Sequence, residues 1–121
     1  MASDTFGKQS EDFIALYLQK LGFQILEQNY KKFFGEIDII AKKNDLVVFV
    51  EVKARKNSQI SMLELVRPSK QNKIIMVAKS YISKNNLYDV TCRFDVALLH
   101  LVDGQKPELN YIENAFGQRD Y

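Results

Sequence analysis

Gly35-Glu36-Ile37-Asp38-Ile39-Ile40-Ala41, joined through Lys42-Lys43-Asn44-Asp45 to Leu46-Val47-Val48-Phe49-Val50-Glu51-Val52-Lys53, is the stretch whose reading decides the fold. Both runs are β-branched and apolar, as strands are, and Lys43-Asn44-Asp45 supplies turn residues between them. A two-residue loop at Asn44-Asp45 sets the register of the hairpin. It places Asp38 opposite Glu51 and Glu36 opposite Lys53, and strict alternation then puts all four side chains on one face. Directly opposed residues have Cβ atoms roughly 4.5–5.5 Å apart, close enough for two carboxylates to share a small cation.

The other face pairs Ile37 with Val52, Ile39 with Val50 and Ala41 with Val48, and further along the charged face Ile40 meets Phe49. A hairpin apolar on both faces belongs at the centre of a sheet covered on both sides, where an unpaired carboxylate is costly. Four charged groups at one end of it therefore need each other, a metal ion or water.

The surrounding chain fits one domain spanning residues 1–121, with 46% hydrophobic and 26% charged residues. No apolar run approaches the roughly 18 residues of a membrane span, and Met1-Ala2-Ser3-Asp4 lacks the layout of a signal peptide, so a cytoplasmic protein without a membrane partner is expected. Cys92 is the single cysteine, which excludes an internal disulfide and a cysteine-cluster zinc site. Its separation from His100 along one strand is too long for a Cys-His pair. The formal charge of +2 permits a polyanionic partner without demanding one.

Residues 4–21 read as an amphipathic helix with Phe13, Ile14, Tyr17, Leu18 and Leu21 on one stripe, Ser3 or Asp4 as cap and Gly22 as terminator. Glu11 falls on the flank of that stripe; a helix-start glutamate favoured by the macrodipole is the plain alternative. Phe23 to Tyr30 suggests a weak edge strand, followed by Lys31-Lys32 in a turn. Ala54 to Gln59 reads as a basic loop holding Arg55 and Lys56, and Ile60 to Val66 as either a short helix or an ordered loop. A second helix starts at Arg67-Pro68-Ser69 and runs to about Lys84, with Lys70, Gln71 and Lys73 in its first turns. Lysines there repel the helix dipole, a cost that an anionic partner offsets. Val90 to Leu101 forms a strand with Arg93 and Asp95 on one face, Asp103-Gly104 a turn, and Leu109 to Ile112 a last short strand. Phe116 anchors the tail. The order αβββαβ, with that final strand, implies a mixed sheet flanked by helices.

Oxygen ligands suit Mg²⁺ or Mn²⁺, and such an ion lowers the pKa of water and stabilises charge on a phosphoryl oxygen. Lys53 beside Glu51 would position the water or counter the charge of a pentavalent phosphorus. The competing reading is a salt-bridged sheet end with no catalytic purpose.

Gly7-Lys8-Gln9-Ser10-Glu11, Gly22-Phe23-Gln24-Ile25-Leu26, Asn29-Tyr30, the Gly35 to Ala41 run, Phe49 to Arg55, Arg93-Phe94-Asp95-Val96 and Ala115-Phe116 resemble, in order, the successive motifs of the bacterial YraN-type family. That family is similar to Holliday-junction resolvases and to the PD-(D/E)xK nucleases. The resemblance implies a restriction-endonuclease-like α/β fold and a Mg²⁺- or Mn²⁺-dependent endonuclease acting on DNA, including branched or recombination intermediates. It matches Asp38, Glu51 and Lys53 to the nuclease motif and Glu11 to the acidic residue of the first helix. Glu36 and Gln71 take supporting roles, and Lys31, Lys32, Arg55, Lys56, Lys70 and Lys73 are the basic residues available to a nucleic-acid backbone. Cutting two strands symmetrically would call for a homodimer. The alternative is a nucleic-acid-binding module whose acidic site no longer cuts. The chain departs from the family at Ser58-Gln59-Ile60-Ser61, where an aromatic-glycine pair is usual, and at Ser10, where Gly is commoner.

Overall fold

A computed structural model describes residues 5–57 and 66–117. The expected caps Ser3 and Asp4, and the ambiguous segment before Val66, lie outside the described residues. Helix α1 (Thr5–Lys20) buries Ile14 and Leu18 of the expected stripe together with Ala15, whereas Phe13 and Leu21, expected on the same stripe, are exposed. It ends in a Schellman arrangement: the Phe23 N–H donates to the Leu18 carbonyl, the Gly22 N–H to that of Gln19, and Gly22 takes φ 98°, which a residue without Cβ adopts at no steric cost.

Five strands follow: β1 (Gln24–Lys32), β2 (Gly35–Lys43), β3 (Leu46–Lys56), and, after helix α2 (Pro68–Lys84), β4 (Thr91–Leu101) and β5 (Glu108–Phe116). They lie side by side in chain order. β3 and β4 are parallel, joined by the crossover through α2, and every other neighbouring pair is antiparallel. α2 begins with Pro68 in its first turn, as its fixed φ favours.

The core lies on both sides of this sheet. Ile37, Ile40, Val47, Phe49, Val96 and Leu98 pack with Ile74, Val77, Ala78 and Tyr81 of α2. Ile39, Ala41, Val48, Val50 and Ala97 pack with Ile14, Ala15 and Leu18 of α1. A mixed sheet with a helix on each face is the restriction-endonuclease-like α/β architecture that the sequence implies. No helix among the described residues is long and apolar enough to cross a membrane.

Several local expectations change. Lys31 and Lys32 belong to β1, paired with Glu36 and Gly35, and the turn is Phe33-Phe34. Arg55 and Lys56 are not in a loop: β3 continues through them, paired with His100 and Leu101 of β4, because β4 is long enough to offer partners. β5 runs on to Phe116 instead of ending at Ile112. The β2–β3 register around Asn44-Asp45 is as expected from Lys43–Leu46 to Ile39–Val50, and the ladder stops there. Beyond it the alternation fails: Ile37 and Ile39, two residues apart on one strand, lie in the α2-side and α1-side clusters respectively. The irregularity falls at Asp38, across from Asn29, which takes the left-handed conformation at φ 55°.

Candidate active site

Where the β2–β3 ladder stops, a side chain takes its place. Asp38 Oδ2 accepts the backbone N–H of Val52 at 2.7 Å, which satisfies a donor that a strand partner would otherwise pair. The expected ladder pairs Asp38–Glu51 and Glu36–Lys53 are therefore not formed as strand pairs. Glu36 faces Lys31 on β1 instead, because the two strands separate at Asp38.

The separation still leaves Asp38 and Glu51 within interaction range. Burial, then the charge of Glu51, push the Asp38 carboxyl up to about 8, against the pull of the Val52 N–H. A group so placed holds its proton at neutral pH and shares it with its neighbour, as paired carboxyls do. Glu51 is only 5% exposed, and Lys70 Nζ contacts its Oε2 at 2.5 Å. Partial burial of Lys70 works against its charge, but Glu51, Asp38 and Glu36 outweigh that and hold the ammonium above its ordinary value.

These groups open onto a depression of about 340 Å³. Its walls come from four elements: Ser10 and Glu11 of α1, Asp38 of β2, Glu51, Lys53 and Arg55 of β3, and Lys70 of α2. Glu11 is raised by burial, opposed by Lys8 and by a hydrogen bond from Gln28, with Asp12 and Glu36 adding to the rise. Ser10 is buried and donates to the Phe6 carbonyl at 2.9 Å, closing the pocket floor without presenting a nucleophile. Arg55 donates to the Ala54 carbonyl. The four residues Glu11, Asp38, Glu51 and Lys53 named from sequence thus share one pocket. Among the described residues, however, no three carboxylate, histidine or cysteine side chains are gathered closely enough to ligate one ion.

Other expected residues lie elsewhere. Gln71 does not line the pocket; its amide donates to the Val66 carbonyl at 2.8 Å, serving the start of α2. Glu36, Lys31, Lys32 and Lys73 line a second depression beside the first. Lys56 is exposed at the end of β3. Lys70, one of the basic residues expected to meet a backbone, is paired with Glu51. Its first-turn position signalled an anionic partner, but nothing in the spacing identified which one.

The Arg93-Phe94-Asp95-Val96 motif belongs to a separate network. Asp95 is fully buried and accepts from Arg93 Nε and Nη2, from the Tyr111 hydroxyl at 2.6 Å and from the Asn114 N–H at 2.9 Å. The β4–β5 register shifts at this point, from Phe94–Phe116 to Val96–Ile112, so Asp95 alone stands against residues 113–115. Its carboxylate fills the donors that the shift leaves unpaired. Burial first, and then Asp95, hold the Tyr111 hydroxyl far above its ordinary value.

Residues 10–99 match the model of a family described as "Uncharacterised protein family UPF0102". A UPF0102 protein of Dictyoglomus turgidum is 42% identical over 96% of this chain and 100% of its own length. One of Clostridium beijerinckii is 45% identical over 91% of each chain, and one of Alkaliphilus metalliredigens 40% identical over 94% of this chain and 99% of its own. The chain belongs to the UPF0102 family, the YraN-type family that its motifs resemble.

Proposed function

We propose that this member of the UPF0102 family is a Mg²⁺- or Mn²⁺-dependent endonuclease that hydrolyses phosphodiester bonds of nucleic acid, DNA by the resemblance of its motifs. One observation carries the reading: two carboxyl groups, Asp38 and Glu51, are forced together at the end of a buried hairpin, in a pocket shared with Glu11 and two ammonium groups. Such a pair is expensive to keep unless a cation or proton joins it.

The donor set fits a small hard cation. Mg²⁺ is held through one or two carboxylates and completes its shell with water and substrate phosphate, so Asp38 and Glu51 suffice as protein ligands, with Glu11 on the facing wall. When bound, the ion supplies Lewis-acid stabilisation of the phosphoryl oxygens and acidifies water. The chain's own groups do the rest. The Val52 N–H fixes the Asp38 carboxylate in one orientation. Lys53, with no ion-pair partner among the described residues, points its charge into the pocket where a phosphate oxygen would gain negative charge. Lys70, paired with Glu51, is a cation available to the incoming phosphate.

Labelled single-stranded, linear duplex and junction DNA incubated with the pure protein and Mn²⁺ test this. Cleavage that falls at least a hundredfold in Asp38→Ala and Lys53→Ala is the expected result. No cleavage of any substrate, or cleavage undiminished in both variants, overturns it.

The Lys70–Glu51 pair favours a second reading, in which the ammonium permanently fills the cation's place and the module only binds nucleic acid. Melting separates the two. A rise in melting temperature with Mn²⁺ that is lost in Asp38→Ala supports an ion at the carboxylates, and an Mn²⁺-independent melting temperature supports the binding module.

A further inference from the structure

The β1–β2 turn breaks the rule its neighbour obeys. At the far end of β2, the turn is Asn44-Asp45, with Asn44 at φ 53°, residues that turns favour. At the near end it is Phe33-Phe34, closed by the pair Lys32–Gly35. Phe34 packs against the α2-side core, and its ring meets that of Phe33 edge-on, with centroids 4.9 Å apart. Phe33 is 101% exposed. A large apolar ring held on a short, anchored turn with its surface entirely in water costs free energy and contributes nothing to the core. A local rule broken in this way marks a contact made with something outside the fold.

The charge around the ring indicates what that contact is. Phe33 stands at the rim of a depression of about 590 Å³ whose charged lining is Lys31, Lys32, Lys73 and the single carboxylate Glu36. This depression adjoins the candidate active site through two of the elements that line it. β2 places Glu36 in one and Asp38, two residues on, in the other. α2 places Lys73 in one and Lys70, one helical turn earlier, in the other. Asp38 lies three residues along β2 from Gly35, roughly 10 Å at strand rise.

We propose that Phe33 is a stacking platform for an unpaired base, and that Lys31, Lys32 and Lys73 hold the phosphates of the strand leading from that base to the Asp38–Glu51 site. The ligand is a nucleic acid with single-stranded character beside the cut, not an uninterrupted duplex, since bases stacked in a duplex offer an isolated ring no face. The inference rests on the nuclease reading for its direction along the strand, but not for its contact.

Binding is measured in EDTA, where no cleavage occurs, by fluorescence anisotropy with a labelled single strand and a blunt duplex of the same sequence. Phe33→Ala is expected to weaken single-strand binding about tenfold, the scale of one lost base–aromatic stack, with duplex binding changed less than twofold and Phe33→Trp restoring the single-strand affinity. Full exposure of the ring leaves the fold unchanged in Phe33→Ala, and an unaltered melting temperature verifies that. Equal weakening on both ligands, or none on the single strand, overturns the proposal. So does a change of oligomeric state in Phe33→Ala, which assigns the ring to a second copy, or Phe33-dependent binding to anionic vesicles without single-strand binding. The two readings fail separately: Phe33-dependent binding with no Mn²⁺-dependent cleavage keeps the platform and removes the nuclease, and cleavage indifferent to Phe33→Ala does the reverse.

Discussion

Asp38 is the residue on which stability and chemistry compete. Its folded pKa of about 8 lies above the ordinary value of 3.8, so the folded state binds this proton more tightly than the unfolded chain does. The stability it contributes is complete below pH 4 and is lost progressively as pH rises to about 8. Asp38→Asn keeps the shape and removes the charge. Its melting temperature should exceed that of the unaltered protein at pH 9, by several degrees, and the difference should shrink towards pH 5. A constant difference across that range would mean that Asp38 is ionised throughout. The opposite change is expected at Lys70, 49% exposed: Lys70→Met leaves a buried Glu51 without its counter-ion and should cost about 1–2 kcal/mol, a buried-pair loss discounted for solvent at the lysine. Urea unfolding checks it, and an unchanged midpoint would place the ammonium's value outside stability. Asp38 and Glu51 were legible as neighbours because hairpin arithmetic is local. Lys70 was legible only as a cation at a helix start, since its meeting with Glu51 depends on how α2 docks after the crossover.

Among the elements, the break in face alternation at Asp38 and the β4–β5 register shift carry what alternation alone could not show. Strand patterns in β2, β3 and β4 identified the central sheet, but a pattern of period two has no means of recording an inserted residue. In β4 the shared face of Arg93 and Asp95 was readable, whereas the two residues of β5 that Asp95 serves, Tyr111 and Asn114, were not. Asp95→Ala strips the Tyr111 hydroxyl, the Asn114 N–H and the Arg93 guanidinium of their common acceptor, and should destabilise by about 3–5 kcal/mol, as breaking a buried charged network does. Tyr111→Phe removes one of those bonds and should cost about 1 kcal/mol. Comparable losses in the two variants would show that water replaces the carboxylate. The hairpin that carries Phe33 has its own constraint at Gly35, where a Cβ would sit 3.2 Å from Val77 Cγ2 and 3.3 Å from Lys73 Cβ. Gly35→Val should push the hairpin off α2 and destabilise by about 1–3 kcal/mol, the range for overpacking, measured in the same urea titration; a neutral effect would mean that α2 yields freely there.

For the molecule as a whole, a formal charge of +2 does not say which basic residues the fold gathers at the candidate site. β1 finishes, β2 starts, β3 finishes and α2 starts at one end of the sheet, and that topology collects Lys31, Lys32, Lys53, Arg55, Lys70 and Lys73 around a few carboxylates. Composition could not reveal this, because the six come from three elements, β1, β3 and α2, that the hairpins and the crossover bring to one end. Lys84 lies at the opposite end of α2. If the basic end holds a nucleic-acid backbone, counterion release sets the salt dependence: about five phosphates neutralised on a single strand give a slope of log K against log salt near −3.5, from roughly 0.7 per phosphate. Lys73→Ala should lower the magnitude of that slope by about 0.7 and Lys84→Ala should leave it unchanged. Anisotropy titrations at four salt concentrations measure both. A slope near zero, or one that responds equally to Lys73→Ala and Lys84→Ala, would mean that the charge gathered at the site end steers nothing, since a diffuse surface loses the same increment wherever a lysine is removed.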